Sequence, residues 1–201
     1  MEATASYDRD SRNAPRDGSS FTYSDISYFY PGVNTSILLH KIIPALKSNK
    51  ILNFAKVRAA ISKTGNVPLV AQQDPNFTVA TFFPYGSTLG YNIPTSIYQQ
   101  QFQPEFVLNK EVGIELGFLK NKINFEATYY SQDNTDQVLD LALANSTGYT
   151  SSKLNAASFT NNGLELDLKL TPIFKMGDWN IDLKMNYTHQ SSKVNSLVEG
   201  V

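Results

Sequence analysis

The sequence contains no cysteine, which excludes disulfide bonds and thiol catalysis. It also lacks any apolar run approaching the roughly 18 residues that a membrane-spanning helix needs. Its longest apolar clusters, such as residues 37–39 and 141–144, are far shorter. A net charge of −1 over 201 residues gives no basic surface for nucleic acid. Neither a helical membrane protein nor a nucleic-acid-binding protein is expected.

A secretory leader is absent from the first residues as they stand. The N-terminal stretch MEATASYDRDSR does not have the basic-then-apolar order of a signal peptide. Taken as the true start, this stretch predicts a cytoplasmic protein. The alternative is that Met1 is not the original start of the protein.

Aromatic residues and strict alternation indicate a β-rich chain. The sequence has 11 tyrosines and 12 phenylalanines, which favour strands. In the stretch GLELDLKLT, leucines at 164, 166, 168 and 170 alternate with Glu165, Asp167 and Lys169. Because side chains of a strand point alternately to opposite faces, this period of two predicts strands rather than helices. The same pattern predicts four strands, at 106–118, 123–131, 163–171 and 179–190.

The first half of the chain is less regular. It predicts a strand around Ala3, Ala5 and Tyr7 and a polar loop with a turn at Asp17-Gly18. The elements expected next are a strand at 24–36, a short helix at 37–46, a strand at 54–63 that ends in the turn Thr64-Gly65-Asn66, and an irregular excursion from Val67 to Pro104.

The lengths of the connections bear on which way the leucines face. Residues 119–122 and the segment PIFKMGD are short links, whereas residues 132–160 form a long polar link. Alternating short and long links are typical of outer-membrane barrels. In the last strand, Trp179 and Tyr187 flank Ile, Leu and Met, as expected if the rings lie at two lipid–water interfaces. The alternation also fits one half of a soluble antiparallel sandwich, where the leucines would be buried.

Candidate chemistry is sparse. His40 and His189 are far apart in sequence, and no Ser-His-Asp arrangement is evident. His189 is expected near a strand end at the interface. The stretch Asp133–Asp136 lacks the glycine and distal glutamate of a calcium loop and is expected to be a solvated loop. We therefore predict no catalytic residue, no metal site and no cofactor, and we assign no substrate-binding residue.

Several motifs, in order along the chain, resemble the barrel of SusC/RagA-type TonB-dependent outer-membrane receptors. Residues 108–139 carry Lys110-Glu111-x-Gly113-x-Glu115-x-Gly117, then a Tyr-Tyr pair and Thr135-Asp136-Gln137. Residues 146–173 carry Asn155-Ala156 before an Asn161-x-Gly163-x-Glu165 strand. The stretches VRAAISKTGN (57–66) and DRDSRNAPRDGSSF (8–21) resemble upstream family segments. Departures occur around residues 9–20, at Ser62-Lys63 and at Ala157-Ser158.

The resemblance implies an all-β fold, an antiparallel transmembrane β-barrel segment of roughly eight to ten strands with short periplasmic turns and long extracellular loops. Residues 1–201 would be a partial barrel domain, without signal peptide, plug domain or C-terminal strands. The implied function is uptake of a bulky oligosaccharide or peptide across the outer membrane of a Gram-negative bacterium. Implied partners are membrane lipid, a SusD-like surface lipoprotein and the TonB complex, the last through parts outside this chain.

The loops at 67–105 and 132–160 would meet the substrate or the lipoprotein. Their aromatic residues are Phe82, Phe83, Tyr85, Tyr91, Tyr98 and Tyr149. These rings could stack on sugar rings, but packing between neighbouring loops is the expected role. The alternative functions are a soluble or surface β-sandwich that binds carbohydrate, and an outer-membrane enzyme. The enzyme would need a nucleophile–base pair that the sequence does not offer.

Overall fold

The computed structural model describes residues 1–10, 26–47, 49–67, 77–81, 88–99 and 101–197. The predicted turn at Asp17-Gly18 and the aromatic residues Phe82, Phe83 and Tyr85 lie outside these ranges. The described part is dominated by strands, which confirms the predicted all-β class. None of its helices is long and apolar enough to cross a membrane.

The described residues form long strands, three strands of two or three residues, and a few single helical turns. The strands are β1 (Glu2–Arg9), β2 (Ser27–Leu38), β3 (Leu52–Asn66), β4 (Thr78–Val79), β5 (Tyr91–Asn92), β6 (Ser96–Tyr98), β7 (Glu105–Phe118), β8 (Ile123–Ala142), β9 (Ser151–Met176) and β10 (Trp179–Leu197). Between β2 and β3 lie two four-residue helices, α1 (Leu39–Ile42) and α2 (Pro44–Lys47). A 3₁₀ turn (Asn145–Thr147) follows β8.

One eight-stranded sheet contains almost all of these strands. Its order is β1-β2-β3-β7-β8-β9-β10, with each neighbouring pair antiparallel, and β6 joins β9 in parallel beyond the last residues of β10. The strands β4 and β5 form a separate two-stranded sheet. Neighbours in sequence are thus neighbours in space, except where β3 passes to β7.

The tight connections lie at one end of the sheet, here called the turn end. Between β7 and β8, Leu119, Lys120 and Asn121 all have positive φ values of 52°, 61° and 61°. The Lys120 N–H donates to the Asn53 side chain, and the Leu119 N–H donates to the Ile51 carbonyl at 2.7 Å. The turn between β9 and β10 consists of only Gly177 and Asp178. Gly177 has a φ of 57° and occupies the first position of the turn, where glycine is favoured in two-residue hairpins.

The opposite end, here called the loop end, differs from the sequence prediction. The polar segment 132–160 is not a loop, because β8 continues to Ala142 and β9 begins at Ser151. These extensions pair with each other, for example Leu139 with Leu154, and form a projecting hairpin. Asp133–Asp136 therefore belongs to a strand, and its prediction as a solvated loop was wrong. Polar residues on both sides of the extension gave no period of two to detect.

Other boundaries also moved. The turn predicted at Thr64-Gly65-Asn66 is wrong, because these residues pair with Val107, Phe106 and Glu105 inside the β3–β7 ladder. The single helix predicted at 37–46 is replaced by α1 and α2, which are separated at Ile43. His189 lies within β10 rather than near its end. The strand β7 itself agrees with the prediction of 106–118 to within one residue.

Candidate functional site

One face of the sheet, here called the apolar face, carries a continuous band of hydrophobic side chains. Directly paired residues in antiparallel strands share a face. In this way Leu168 lies between Phe125 and Met185, and Val112 lies between Ala59 and Tyr129. The exposed fractions are 49% for Val112 and 56% for Met185. No second layer of the described residues covers these side chains.

The band ends at polar side chains towards the loop end. Tyr129 donates from its hydroxyl to Asn162 Oδ1 at 3.5 Å. On the same face but beyond it, Lys110 Nζ lies 2.8 Å from Asp133 Oδ2, and the Thr160 hydroxyl donates to Asp133 Oδ1 at 2.8 Å. These two hydrogen bonds, that from Lys110 first, hold the pKa of Asp133 below its usual value. This ion pair marks the polar end of the apolar band, just beyond Tyr129.

Towards the turn end the band finishes with Trp179, which pairs with Met176 and is 74% exposed. From Trp179 to Tyr187 the strand extends about 27 Å at roughly 3.4 Å per residue. At a typical barrel tilt of about 40° this corresponds to a height of about 21 Å, close to the ~25 Å apolar band of outer-membrane barrels.

The opposite face, here called the charged face, carries rows of ionised side chains. Across five strands, Lys56, Glu115, Glu126, Asp167 and Asn186 are paired in sequence. Lys56 Nζ lies 2.8 Å from Glu115 Oε1, and the Asn186 amide donates to Asp167 Oδ1. Three carboxylates in adjacent positions repel one another unless water and cations screen them. The row is therefore suited to a wet surface.

Arg58 holds the next row of this face together. Its Nη2 lies 2.8 Å from Glu126 Oε1, 3.5 Å from Glu111 Oε1 and 2.7 Å from the Thr128 hydroxyl. Gly113 makes room for the guanidinium group, because a Cβ there would lie 2.6 Å from Arg58 Nε. The groove beside this cluster has a volume of about 580 Å³. It is lined by Arg58, Asn109, Glu111, Thr128, Tyr130, Gln132, Glu165 and Gln190.

A family model for the TonB-dependent receptor-like β-barrel matches residues 2–200. The chain belongs to this receptor family. The match covers every strand of the sheet, so the resemblance inferred from the sequence motifs is confirmed for the family and for the barrel fold. The apolar face and the charged face are accordingly the two surfaces of a receptor barrel wall.

Two curated relatives come from Formosa agariphila. TonB-dependent receptor P39 is 25% identical over 133 residues, covering 64% of this chain and 12% of the relative. TonB-dependent receptor P26 is 24% identical over 163 residues, covering 78% of this chain and 16% of the relative. The chain thus spans less than a fifth of the length of these receptors.

Solved structures share the fold of this barrel segment. The structure of the RagAB peptide transporter matches with a TM-score of 0.81 at 20% identity, covering 99% of this chain and 21% of that chain. The RagAB peptide importer in the open-open state matches with a TM-score of 0.76, also at 20% identity, and covers 99% of this chain and 20% of that chain. At this identity the likeness establishes the barrel fold.

The aromatic candidates of the receptor loops do not converge on one described site. Tyr91 in β5 is 59% exposed, and Tyr149 in the hairpin loop is 36% exposed. Tyr98 is half-buried in β6, where it pairs with Lys153. No substrate-binding residue is assigned among them.

The histidines of the receptor segment have separate places. His40 Nδ1 accepts a hydrogen bond from the Ala55 N–H at 3.2 Å, and its ring lies 5.0 Å from that of Phe54. His189 is exposed on β10, opposite Leu164 at the edge of the apolar band. Among the described residues no group of His, Asp or Glu side chains is arranged to hold a metal ion.

Sequence reasoning missed the polar contacts that organise the loop end. Asn155 was noted only as part of a motif, yet its side chain joins segments that are 52 and 19 residues away. Arg58 was not singled out either, although it bridges two strands of the charged face. The one feature of the sequence that could have pointed to Asn155 and Arg58 was that both lie within the motifs shared with the family.

Proposed function

We propose that this chain forms part of the wall of a SusC-like TonB-dependent transporter that imports a bulky nutrient, an oligosaccharide or a peptide. The observation that carries the proposal is the pair of opposite faces. The apolar face crosses the sheet without a covering layer of described residues, while the opposite face carries Arg58, Glu126 and Asp167. Lipid on one side and a water-filled lumen on the other account for both faces.

The location follows from the same argument. A barrel of this family lies in the outer membrane of a Gram-negative bacterium, with the turn end in the periplasm and the hairpin of β8 and β9 outside. The dimensions of the apolar band and the position of Trp179 support this orientation.

Residues 1–201 are one portion of a longer barrel domain in this proposal. Within the described residues the outer edges of β1 and β10 pair with no further strand. Unpaired N–H and C=O groups cost several kcal/mol each in hydrocarbon. Further strands of the same receptor would satisfy these groups. This proposal fits the two relatives, of whose lengths this chain covers 12% and 16%.

The partners of the proposed transporter act at opposite ends. A SusD-like lipoprotein would cover the loop end, which is consistent with the fold of the RagAB transporter. The TonB complex would engage parts of the receptor outside this chain. Two observations support the proposed cargo class. The solved structures of similar fold are those of a peptide transporter and a peptide importer, and the groove beside Arg58 is lined by polar side chains.

The experiment is an uptake assay in the bacterium that carries the gene. Cells with and without the gene are given a fluorescein-labelled casein digest or labelled malto-oligosaccharides, each with and without a protonophore. We expect the receptor in the outer-membrane fraction, and uptake of one probe that is lost on deletion and on collapse of the proton gradient. A receptor found in the soluble fraction, or uptake of both probes unaffected by deletion, would refute the proposal.

The soluble β-sandwich gains no support from the structure. A sandwich requires a second sheet packed about 10 Å above the first. The described residues supply only the two-stranded β4–β5 sheet besides the main one, and Trp179 and Met185 stay exposed.

A further inference from the structure

A short external segment is fastened along the hairpin of β8 and β9. This segment, here called the strap, comprises residues 95–99 and 101–103. Its strand β6 pairs in parallel with Ser151–Lys153. The Thr150 N–H donates to the Thr95 carbonyl at 2.8 Å, and the Gln99 N–H donates to the Lys153 carbonyl at 2.9 Å. The strap thus occupies the edge of β9 that β10 leaves free above Ala157.

Beyond β6 the backbone ladder is replaced by one side chain, that of Asn155. Asn155 Oδ1 accepts a hydrogen bond from the Gln103 N–H at 2.9 Å, and Asn155 Nδ2 donates to the Gln103 carbonyl at 3.0 Å. The Asn155 N–H in turn donates to Gln99 Oε1 at 2.9 Å. A primary amide has the same donor and acceptor as a peptide group, so Asn155 acts as one rung of a strand pair.

The same amide also closes a bulge in β8. Asp136 has a φ of 58°, and the β8–β9 register shifts on either side of Gln137. Asn155 Nδ2 donates to the Asp136 carbonyl at 2.5 Å, while Glu105 Oε1 accepts from the Val138 N–H at 3.0 Å. Two side chains thereby satisfy backbone groups that the bulge would otherwise leave unpaired.

One apolar side chain is buried on each side of the attachment. Phe102 in the strap is 3% exposed, and Ala156, next to Asn155, is 5% exposed. In contrast, Ile93, just before the strap, is 76% exposed, and Tyr91 is 59% exposed. The fastened strap therefore fixes where an exposed apolar segment sits at the loop end.

We propose that Asn155 is a positioning residue that fastens the strap to the β8–β9 hairpin and so holds the segment of Tyr91 and Ile93 at the outer mouth for cargo capture. The role in cargo capture rests on the proposed transport function, whereas the fastening itself does not. Removal of the amide leaves the Gln103 peptide group and the Asp136 carbonyl without their partners.

Hydrogen exchange of the complete receptor that carries these residues tests the fastening. In N155A we expect the backbone amides of residues 96–99 and 101–103 to exchange about 10- to 100-fold faster, because several mutually supporting hydrogen bonds are lost. Amides of β9 between Leu164 and Leu170 are expected to be unchanged. The control is N145A in the same hairpin loop, since the Asn145 side chain makes no hydrogen bond with described residues.

The isosteric variant N155D separates the two functions of the amide. It keeps an acceptor for the Gln103 N–H but replaces the donor to two carbonyls by a negative charge. We expect faster exchange here too. Exchange in both variants equal to that of N145A would overturn the inference.

A reversible lock tests the link to cargo capture. The hydroxyl oxygens of Ser96 and Ser151 are 2.8 Å apart, and the chain has no native cysteine, so S96C/S151C can form a disulfide across the strap. With whichever of the two probes the unmodified receptor takes up, N155A is expected to raise the half-saturating concentration several-fold at an unchanged maximal rate. In N155A, the disulfide should return the half-saturating concentration to that of the unmodified receptor. Reduction of the disulfide with dithiothreitol should raise this concentration again.

The outcomes distinguish this inference from the proposed function. Faster exchange of the strap with unchanged half-saturation in N155A would refute the role in cargo capture. If the unmodified receptor takes up neither probe, the proposed function fails, and the exchange experiment alone decides whether Asn155 fastens the strap.

Discussion

A single charged residue placed on the apolar face should report directly on what that face contacts. Leu168 lies between Phe125 and Met185, about midway along the apolar band. Leu168→Arg would place a guanidinium group in hydrocarbon, which costs about 2–4 kcal/mol near the midplane of a barrel. Since 1.4 kcal/mol is a factor of ten, the folding equilibrium constant should fall about 30- to 700-fold.

The neighbouring residue supplies the matched control. Asp167 points to the charged face, beside Glu126 and Asn186. Asp167→Arg loses the Asn186 contact but gains a nearby carboxylate in water, so we expect a change below about 1 kcal/mol. Equal destabilisation by both variants would contradict the assignment of the two faces.

A larger apolar side chain separates lipid from a protein core, because arginine is destabilising in either. Leu168→Phe enlarges the side chain. Fluid lipid accommodates it, whereas overpacking of a protein interior costs about 1–3 kcal/mol. The assay is urea unfolding of the receptor in lipid vesicles, followed by its heat-modifiable electrophoretic mobility. A loss of more than about 1 kcal/mol in Leu168→Phe would refute the lipid-facing assignment.

Three further predictions use the same unfolding assay. Gly163→Ala should destabilise by about 1–3 kcal/mol, because its Cβ would overlap the Tyr130 ring, and Tyr130→Ala in the same chain should remove most of this cost. Arg58→Gln should cost about 1 kcal/mol at low salt and almost nothing at about 1 M salt if the Glu126 pair faces water; an equal cost at both salt concentrations would indicate a dry site. Lys120→Gly should stabilise by about 0.5–1 kcal/mol, since glycine adopts the φ of 61° without strain and keeps the N–H that Asn53 accepts; no gain relative to Lys122→Gly would contradict this.

The strands that carry the apolar band were predictable because apolar and polar residues alternate along them with a period of two. Leu164 to Leu170 and Ile123 to Tyr129 occupy the paired positions that this period requires. The short turn between β7 and β8 was predictable as well, since only Leu119–Lys122 separate these two strands. The strand extensions past Asp133 and before Asn161 were missed, because both of their faces contact water and no alternation is required there.

The contacts at the loop end could not be predicted for a different reason. Asn155 meets Gln103 across 52 residues, and Glu105 meets Val138 across 33. Such pairings depend on strand register and on a bulge in β8, neither of which leaves a local pattern in the sequence.

The sequence by itself determined which residues share a face, because the alternation of side chains along a strand is a property of the local backbone. It left open whether the leucines face lipid or a protein core, since both environments select the same side chains. Only the tertiary structure showed that the strands pair into one sheet, with Val112, Met185 and Trp179 uncovered by described residues on one face and Arg58 paired with Glu126 on the other. Burial depends on what lies above a face, and that is set by contacts between distant parts of the chain.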